Sequence, residues 1–246
     1  MAVLDPDLLL RAYSIGVFPM ADSRDADEIF WVEPRKRAII PLDGFRMSRS
    51  LRKTIRTEGF TVTHDKVFAA VVHNCAAREE TWINRQIEQS YNLLHRLGHA
   101  HSIECWQDEQ LVGGLYGVRL GGAFFGESMF STRADASKVA LAWLVARLVV
   151  GGFRLLDCQF MTEHLRSLGA VEIDQKAYLQ MLSAAVGSVL GGSAAGTAGA
   201  GSAGGVALGC DVAAEFGALD RLLAERDGAD SPPPGWVISQ LLGHTS

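Results

Sequence analysis

The stretch that decides the predicted fold is HSIECWQDEQLVGGLYGVRLGGAFFGESM, residues 101–129. It divides into three apolar runs, His101–Gln107, Leu111–Leu120 and Ala123–Met129. A polar pair, Asp108-Glu109, separates the first two runs, and Gly121-Gly122 separates the last two. Short strand-like runs joined by tight turns are typical of hairpins, so this stretch predicts an antiparallel meander of three strands.

Helical and strand patterns alternate on both sides of the meander. A strand at 60–64 and two helices precede it, at 66–76 and around Ile87, Tyr91, Leu94 and Leu97. A helix at 134–150, a strand at 153–159, a short helix capped by Thr162, a strand near Val171 and a helix at 174–186 follow it. This order predicts an α+β fold with a mostly antiparallel sheet.

Composition shifts suggest four segments. These shifts predict a small N-terminal domain at residues 1–60 and a larger domain at residues 61–186. Between 187 and 209, Gly, Ala and Ser make up 18 of 23 positions, which predicts a flexible linker because such residues bury little apolar area. Residues 210–246 form a C-terminal tail, whose apolar run 236–242 predicts docking onto the domain.

Overall composition excludes several classes of protein. Hydrophobic residues make up 48% of the chain and the net charge is −5, so wholesale disorder and a polycationic nucleic-acid coat are excluded. Four widely spaced cysteines and an acidic N-terminus without an export signal predict a reduced, cytoplasmic protein. The uncharged stretch 177–210 is too rich in Gly and Ser for a membrane span.

A basic stretch stands out against this acidic background. Between Pro34 and Thr57 the only acid is Asp43, whereas eight residues are basic: Arg35, Lys36, Arg37, Arg46, Arg49, Arg52, Lys53 and Arg56. A local charge of this sign predicts a phosphate-binding face. The alternative is an ordinary solvated helix surface.

Polar residues interrupt two apolar strands. Alternation places Glu127 on the same face as Phe125 and Met129, where a carboxylate needs either a cationic ligand or an internal Arg partner. Alternation also places Asp157 and Gln159 on one face of their strand, which predicts either a polar network at a site or a strand-end cap. His99 and His101 lack a third ligand at metal spacing, so no metal site is predicted.

Seven strings occur together in order along residues 5–186: GVFP at 16–19, TWI at 81–83, LGHAHSIE at 97–104, LVGGLYG at 111–117, GESMFS at 126–131, ASK at 136–138 and DCQ at 157–159. In these strings the chain resembles the bacterial leucyl/phenylalanyl-tRNA–protein transferases. The resemblance implies transfer of Leu, Phe or Met from aminoacyl-tRNA to proteins that begin with Arg or Lys, which marks them for N-end-rule degradation. It also implies an acyl-CoA N-acyltransferase-like (GNAT-like) larger domain, no cofactor, and a monomer.

The resemblance assigns roles to individual residues. Asp157 would orient Gln159, whose carbonyl would accept a hydrogen bond from the attacking amine, and Glu127 would meet the N-terminal Arg or Lys of the acceptor. The expected aminoacyl and adenine contacts are Trp82, Phe124, Leu144 and Met20, and Ser131 is expected among the substrate-binding residues. The expected tRNA contacts are Arg35, Lys36, Arg46, Arg49, Arg52 and Lys53.

Two other functions compete with this one. An acyl-CoA-dependent N-acyltransferase would cradle pyrophosphate in a Gly-rich turn at a helix N-terminus, but the corresponding turn here, residues 131–138, contains no glycine. An RNA-binding module would account for the basic stretch, but it leaves Glu127, Asp157 and Gln159 without a role.

Overall fold

The computed structural model describes residues 3–187, 214–226 and 234–243, so most of the predicted linker lies outside the described residues. The predicted α+β class is confirmed. The helices are α1 (Pro6–Ser14), α2 (Arg49–Arg56), α3 (Phe68–Ala76), α4 (Arg85–Arg96), α5 (Ala136–Val150), α6 (Glu163–Ser167), α7 (Gln175–Val186), α8 (Ala218–Ala224) and α9 (Pro234–Leu241). The strands are β1 (Phe18–Met20), β2 (Phe30–Val32), β3 (Lys36–Ile39), β4 (Thr61–His64), β5 (Ala100–Gln107), β6 (Gln110–Leu120), β7 (Ala123–Ser131), β8 (Leu155–Gln159) and β9 (Val171–Asp174).

A seven-stranded sheet in the order β4-β5-β6-β7-β8-β3-β9 organises the chain, beside a separate β1–β2 pair. The predicted meander is confirmed, because β5, β6 and β7 pair antiparallel in sequence order. Strand β8 then lies parallel to β7, with Leu155 opposite Ala123. Helix α5 makes the crossover that a parallel pair requires.

Each face of the sheet is covered by helices. Alternation sends Phe124 and Leu156 to one side, where they pack with α5, whereas Phe125 and Leu155 face α1, α3, α4 and α7 on the other side. Among the described residues, no helix combines the length and the hydropathy that a membrane crossing requires.

Strand β3 joins the beginning of the chain to this sheet. Residues 36–39, expected in the N-terminal unit, pair antiparallel with both β8 and β9, and Ile39 lies opposite Asp157. A division at residue 60 would therefore cut one continuous sheet. Helix α2 likewise packs its buried Leu51 and Ile55 into the core that surrounds α5.

The described parts of the tail are docked, as the apolar run near the C-terminus predicted. Phe216 stacks on His101 with ring centroids 4.0 Å apart. Arg147 of α5, itself buried, donates to both carboxylate oxygens of Asp220 in α8 at 2.6 and 2.7 Å. Helix α9 buries Ile238 in the same core and lies against α2.

Candidate active site

A buried ion pair lies at the centre of the site. Asp157, on β8, accepts hydrogen bonds from Arg37 Nε at 3.0 and 3.1 Å and from Arg37 Nη2 at 2.6 Å. Arg37 also donates through Nη1 to the carbonyl of Gly16, and its guanidinium lies between the rings of Phe18 and Tyr178. The Tyr178 hydroxyl donates to Asp157 at 2.8 Å. Arg37 is therefore a structural partner of Asp157, and its prediction as part of the exposed basic face is wrong.

Gln159 is held at two points. Its backbone N–H donates to Asp157 Oδ1 at 2.8 Å, and its φ of 60° lies in the left-handed region that non-glycine residues rarely adopt. Its side-chain Nε2 donates to Glu127 Oε1 at 2.8 Å. Among the described residues none donates to its carbonyl oxygen Oε1. Asp157 thus fixes the backbone of Gln159, and Glu127 fixes the side chain.

Glu127 has neutral hydrogen-bond donors around it. Besides Gln159, the hydroxyls of Tyr13 and Tyr91 donate to its carboxylate at 2.8 and 2.9 Å. Burial raises the pKa of Glu127 to about 7, although the two tyrosine hydrogen bonds act in the opposite direction. The internal Arg partner considered for Glu127 belongs to Asp157 instead.

A β-bulge in β7 positions Glu127. Gly117 lies opposite Gly126 and Tyr116 opposite Ser128, so Glu127 is the extra residue. A side chain at Gly117 could not be accommodated, because its Cβ would lie 2.3 Å from the Phe125 carbonyl oxygen.

The bulge also shifts the alternation of the strand. Phe125 packs on the α3 side of the sheet, whereas Met129 packs on the α5 side. The prediction that Phe125, Glu127 and Met129 share one face is therefore wrong at Met129.

A cavity of about 370 Å³ opens beside this network. Its wall combines Glu127 and Gln159 with Trp82 and with apolar side chains, among them Leu115, Met129, Leu141, Leu144 and Leu156. Four of the predicted site residues, Trp82, Glu127, Leu144 and Gln159, thus come together in one lining. The arrangement can place an apolar side chain next to an oriented carboxamide.

Three of the predicted substrate contacts lie outside this lining. Phe124 is completely buried and stacks on Phe216 with centroids 5.7 Å apart. Ser131 is exposed and donates through Oγ to the Arg133 carbonyl before α5. Met20 is half-buried in β1 and packs against the core on the α3 side.

Comparison with known proteins identifies the family. A family model described as leucyl/phenylalanyl-tRNA protein transferase matches residues 39–183, and a model of the N-terminal domain of the same family matches residues 2–35. The chain belongs to this family. The family predicted from the seven strings is thereby confirmed. The N-terminal match ends just before β3, and the other match begins at Ile39, the last residue of β3.

Curated relatives agree over the full length of the chain. The leucyl/phenylalanyl-tRNA–protein transferase of Rhizorhabdus wittichii is 62% identical over 100% of both chains. That of Novosphingobium aromaticivorans is 53% identical over 99% of this chain and 97% of its own. The predicted enzyme class is confirmed with the family. Among solved structures a distant similarity to FemX is found, at 12% identity and a TM-score of 0.47 over 68% of this chain and 66% of that chain.

Sequence reasoning missed four residues that hold the polar network: Tyr13, Arg37, Tyr91 and Tyr178. One usable pattern was present for the tyrosines, because Tyr13 and Tyr91 lie on the buried faces of α1 and α4. A buried tyrosine hydroxyl usually needs a polar partner. The partner of Arg37 lies 120 residues away along the chain, so no local pattern could identify it.

The basic residues predicted to bind tRNA separate into three groups. Arg49, Arg52 and Lys53 come together with Arg56 along one groove on α2, which Ser48 caps through a hydrogen bond from Leu51 N at 3.1 Å. Lys36 forms an exposed ion pair with Glu172 at 3.0 Å. Arg35 and Arg46 are exposed outside that groove.

The turn that precedes α5 bears on the acyl-CoA alternative. Asp135, with a φ of 65°, comes immediately before the helix. The N–H of Ala136 donates to the Arg133 carbonyl, and that of Ser137 donates to Ser131 Oγ. These two amides at the start of the helix are engaged within the chain, which argues against a pyrophosphate cradle at this turn.

Proposed function

We propose that this chain transfers Leu, Phe or Met from aminoacyl-tRNA to the N-terminal Arg or Lys of an acceptor protein, the modification that marks proteins for N-end-rule degradation. The observation that carries the proposal is Gln159. Its buried carboxamide is fixed by Glu127, its backbone is fixed by Asp157, and its carbonyl oxygen is left without a partner among the described residues beside an apolar cavity.

The chemistry requires positioning more than activation. The α-amine of the acceptor attacks the ester carbonyl, so that a C–N bond forms, the bond to the ribose oxygen breaks, and the proton lost by nitrogen balances the alcohol that leaves. Gln159 Oε1 accepts a hydrogen bond from the attacking amine and aligns its lone pair. A carboxamide is too weak a base to remove the proton, so we assign Gln159 to orientation and Asp157 to positioning Gln159.

Glu127 is proposed to recognise the acceptor. A carboxylate with a pKa of about 7 is partly ionised at neutral pH, and the cationic side chain of an incoming Arg or Lys favours the ionised form. The resulting charge-assisted contact would be stronger than one between neutral groups. An acceptor with an uncharged first residue would lack this contact.

The apolar wall of the cavity is proposed to select the donor. Leu115, Leu141, Leu144 and Leu156 offer a lining without hydrogen-bonding side chains, next to Trp82 as the proposed contact for adenosine. Apolar pockets separate side chains that differ by one methylene by only about 1–3 kcal/mol. Leu, Phe and Met are therefore all expected as donors, whereas the β-branched Ile and Val fit less well.

Other features extend the proposal beyond the cavity. The groove of α2 is proposed to contact tRNA phosphates through Arg49, Arg52 and Lys53, with Arg35, Lys36 and Arg46 as weaker contributors.

The meander, the crossover helix α5 and the parallel strand β8 support a GNAT-like arrangement of the larger domain. We propose that the boundary with the N-terminal unit lies at residue 35, before β3, and we propose a cytoplasmic monomer without a cofactor.

Transfer of radiolabelled amino acid tests the function directly. Leu-tRNA and Phe-tRNA are each incubated with the protein and with peptides that differ only in beginning with Arg or Gly. Label is expected in the Arg peptide alone, and Ile-tRNA is expected to be a much poorer donor. Label from acetyl-CoA in the same peptide, with none from tRNA, would favour the acyl-CoA alternative.

A further inference from the structure

Arg78, in the loop between α3 and α4, lines the cavity but takes no part in the network around Gln159. Its Nη2 donates to Ser128 Oγ at 2.8 Å and to the carbonyl of Met129. Both acceptors follow Glu127 on β7. One edge of the guanidinium is therefore fixed to the rim of the cavity.

The rest of this guanidinium has no acidic partner in the part of the chain that the structure describes, although Glu79 and Glu80 follow it in sequence. Two other arginines, by contrast, have acidic partners: Arg24 pairs with Glu88, and Arg147 with Asp220. Arg78 is exposed, and a guanidinium keeps its charge at every relevant pH. Arg78 also hydrogen-bonds the buried Cys75 thiol, and its remaining N–H donors lie at the entrance to the cavity.

The charge and planarity of the guanidinium select its ligand. A guanidinium binds oxyanions with two parallel N–H groups, and phosphate is a preferred partner. An acceptor that begins with Arg or Lys brings a cation, which Arg78 repels. The donor, by contrast, carries a phosphodiester next to its aminoacylated nucleotide. We propose that Arg78 binds this phosphodiester and so positions the aminoacyl end of the RNA.

This proposal rests on the proposed function and refines it. Among the described residues none lines both the α2 groove and the cavity that Arg78 borders. The α2 groove and Arg78 are therefore separate contacts. The groove meets RNA at a distance from the ester, and Arg78 meets the last phosphodiester before it.

Donors that differ in phosphate content test the assignment. Phenylalanyl-adenosine carries no phosphodiester, phenylalanyl-cytidylyl-adenosine carries one, and Phe-tRNA carries the full backbone. With an Arg-initiated peptide as acceptor, Arg78→Gln is expected to raise KM for the dinucleotide about tenfold, because a charge-assisted contact is lost. KM for phenylalanyl-adenosine and kcat with either donor should stay within about twofold. Arg85→Gln, which removes an exposed cation outside the cavity lining, is the matched control.

The outcomes of this experiment distinguish a failure of the Arg78 assignment from a failure of the proposed function. An equal loss with the dinucleotide and the nucleoside donors, or a raised KM for the peptide alone, would overturn the assignment. Arg78→Lys keeps the charge without the planar fork and should give an intermediate KM for the dinucleotide. If Arg78→Gln lowers the thermal midpoint of unfolding, KM for the dinucleotide and for the nucleoside donor is compared in Arg78→Lys instead. Wild-type protein that uses none of the three donors would overturn the proposed function, and the role of Arg78 with it.

Discussion

Arg37 and the arginines of α2 belong to one basic stretch, yet the fold treats them in opposite ways. Arg37 is 1% exposed and forms an ion pair with Asp157, whereas Arg49 and Lys53 extend from α2 into solvent. Position within an element decides the difference. The side chain of Arg37 faces the interior from β3, which lies between β8 and β9 in the sheet. The basic residues of α2 lie on the outward face of a helix whose Leu51 and Ile55 point to the core. A run of charge is therefore not one functional unit.

The largest expected effect is on folding. Arg37→Met removes the partner of a fully buried carboxylate and should lower the free energy of unfolding by about 3–5 kcal/mol. Lys36→Met, one residue earlier, breaks an exposed pair and should cost less than about 1 kcal/mol. Urea denaturation measures both variants. Similar losses in the two would mean that burial does not distinguish the neighbouring cations.

The next effect is on the rate. Asp157→Asn, Gln159→Ala and the double variant should each lower kcat by about 100-fold, without additivity, because the two residues act as one unit. KM for Phe-tRNA should change little, in contrast to variants of α2. Single-turnover transfer measures this, with Glu172→Gln on β9 as a control. If Asp157 were itself the base, Asp157→Asn would lose far more than Gln159→Ala.

A pH effect of intermediate size distinguishes Glu127 from the exposed acids. The pKa of Glu127 is about 7 in the folded protein, which is above its ordinary value. The protonated Glu127 therefore contributes fully to stability below the pKa of the unfolded state, and this contribution is lost as the pH rises through 7. Between pH 5 and 8 the wild type should lose on the order of 2 kcal/mol relative to Glu127→Gln, which does not titrate. Urea unfolding at several pH values gives this difference. Parallel curves for the two proteins would contradict the raised pKa.

The smallest effect falls on binding alone. Arg49→Glu combined with Lys53→Glu should weaken all charged tRNAs alike and should reduce the slope of log affinity against log salt by about two, because phosphate contacts do not read the amino acid. The free energy of unfolding should change by less than about 0.5 kcal/mol. Filter binding over a salt series measures the slope. A loss restricted to Leu-tRNA would instead assign these residues to aminoacyl recognition.

Local patterns in the sequence were enough for some elements. The meander follows from three apolar runs and two turns, and α6 follows from its predicted cap Thr162, whose Oγ1 accepts from the N–H of Leu165 at 3.2 Å. Helix ends were less accurate: Leu97, predicted within the second helix, lies beyond its end and is 53% exposed, because α4 ends at Arg96. Helix ends depend on caps that periodicity does not describe.

Features that depend on distant partners could not be predicted in the same way. The partners of β3 are strands more than 100 residues later, so its place in the large sheet is invisible in residues 1–60. The bulge at Glu127 is a mismatch between two strands, not a property of either one. For the site, Asp157, Gln159 and Glu127 were found from polar residues in apolar strands, but the three tyrosines and Arg37 that hold them required the topology.

The tail is held to the main body by non-covalent contacts, so the chain can be divided without breaking them. The described parts of the tail, residues 214–226 and 234–243, contact the main body through Phe216, the Arg147–Asp220 pair and the buried Ile238. A cut between residues 188 and 213 would break none of these contacts. We expect the two fragments of a cut chain to stay associated, and fragments that are expressed separately to assemble. Their association should be weaker than in the intact chain, because a covalent link no longer sets their effective concentration. The chain could then serve as a split reporter whose halves recombine into an active transferase.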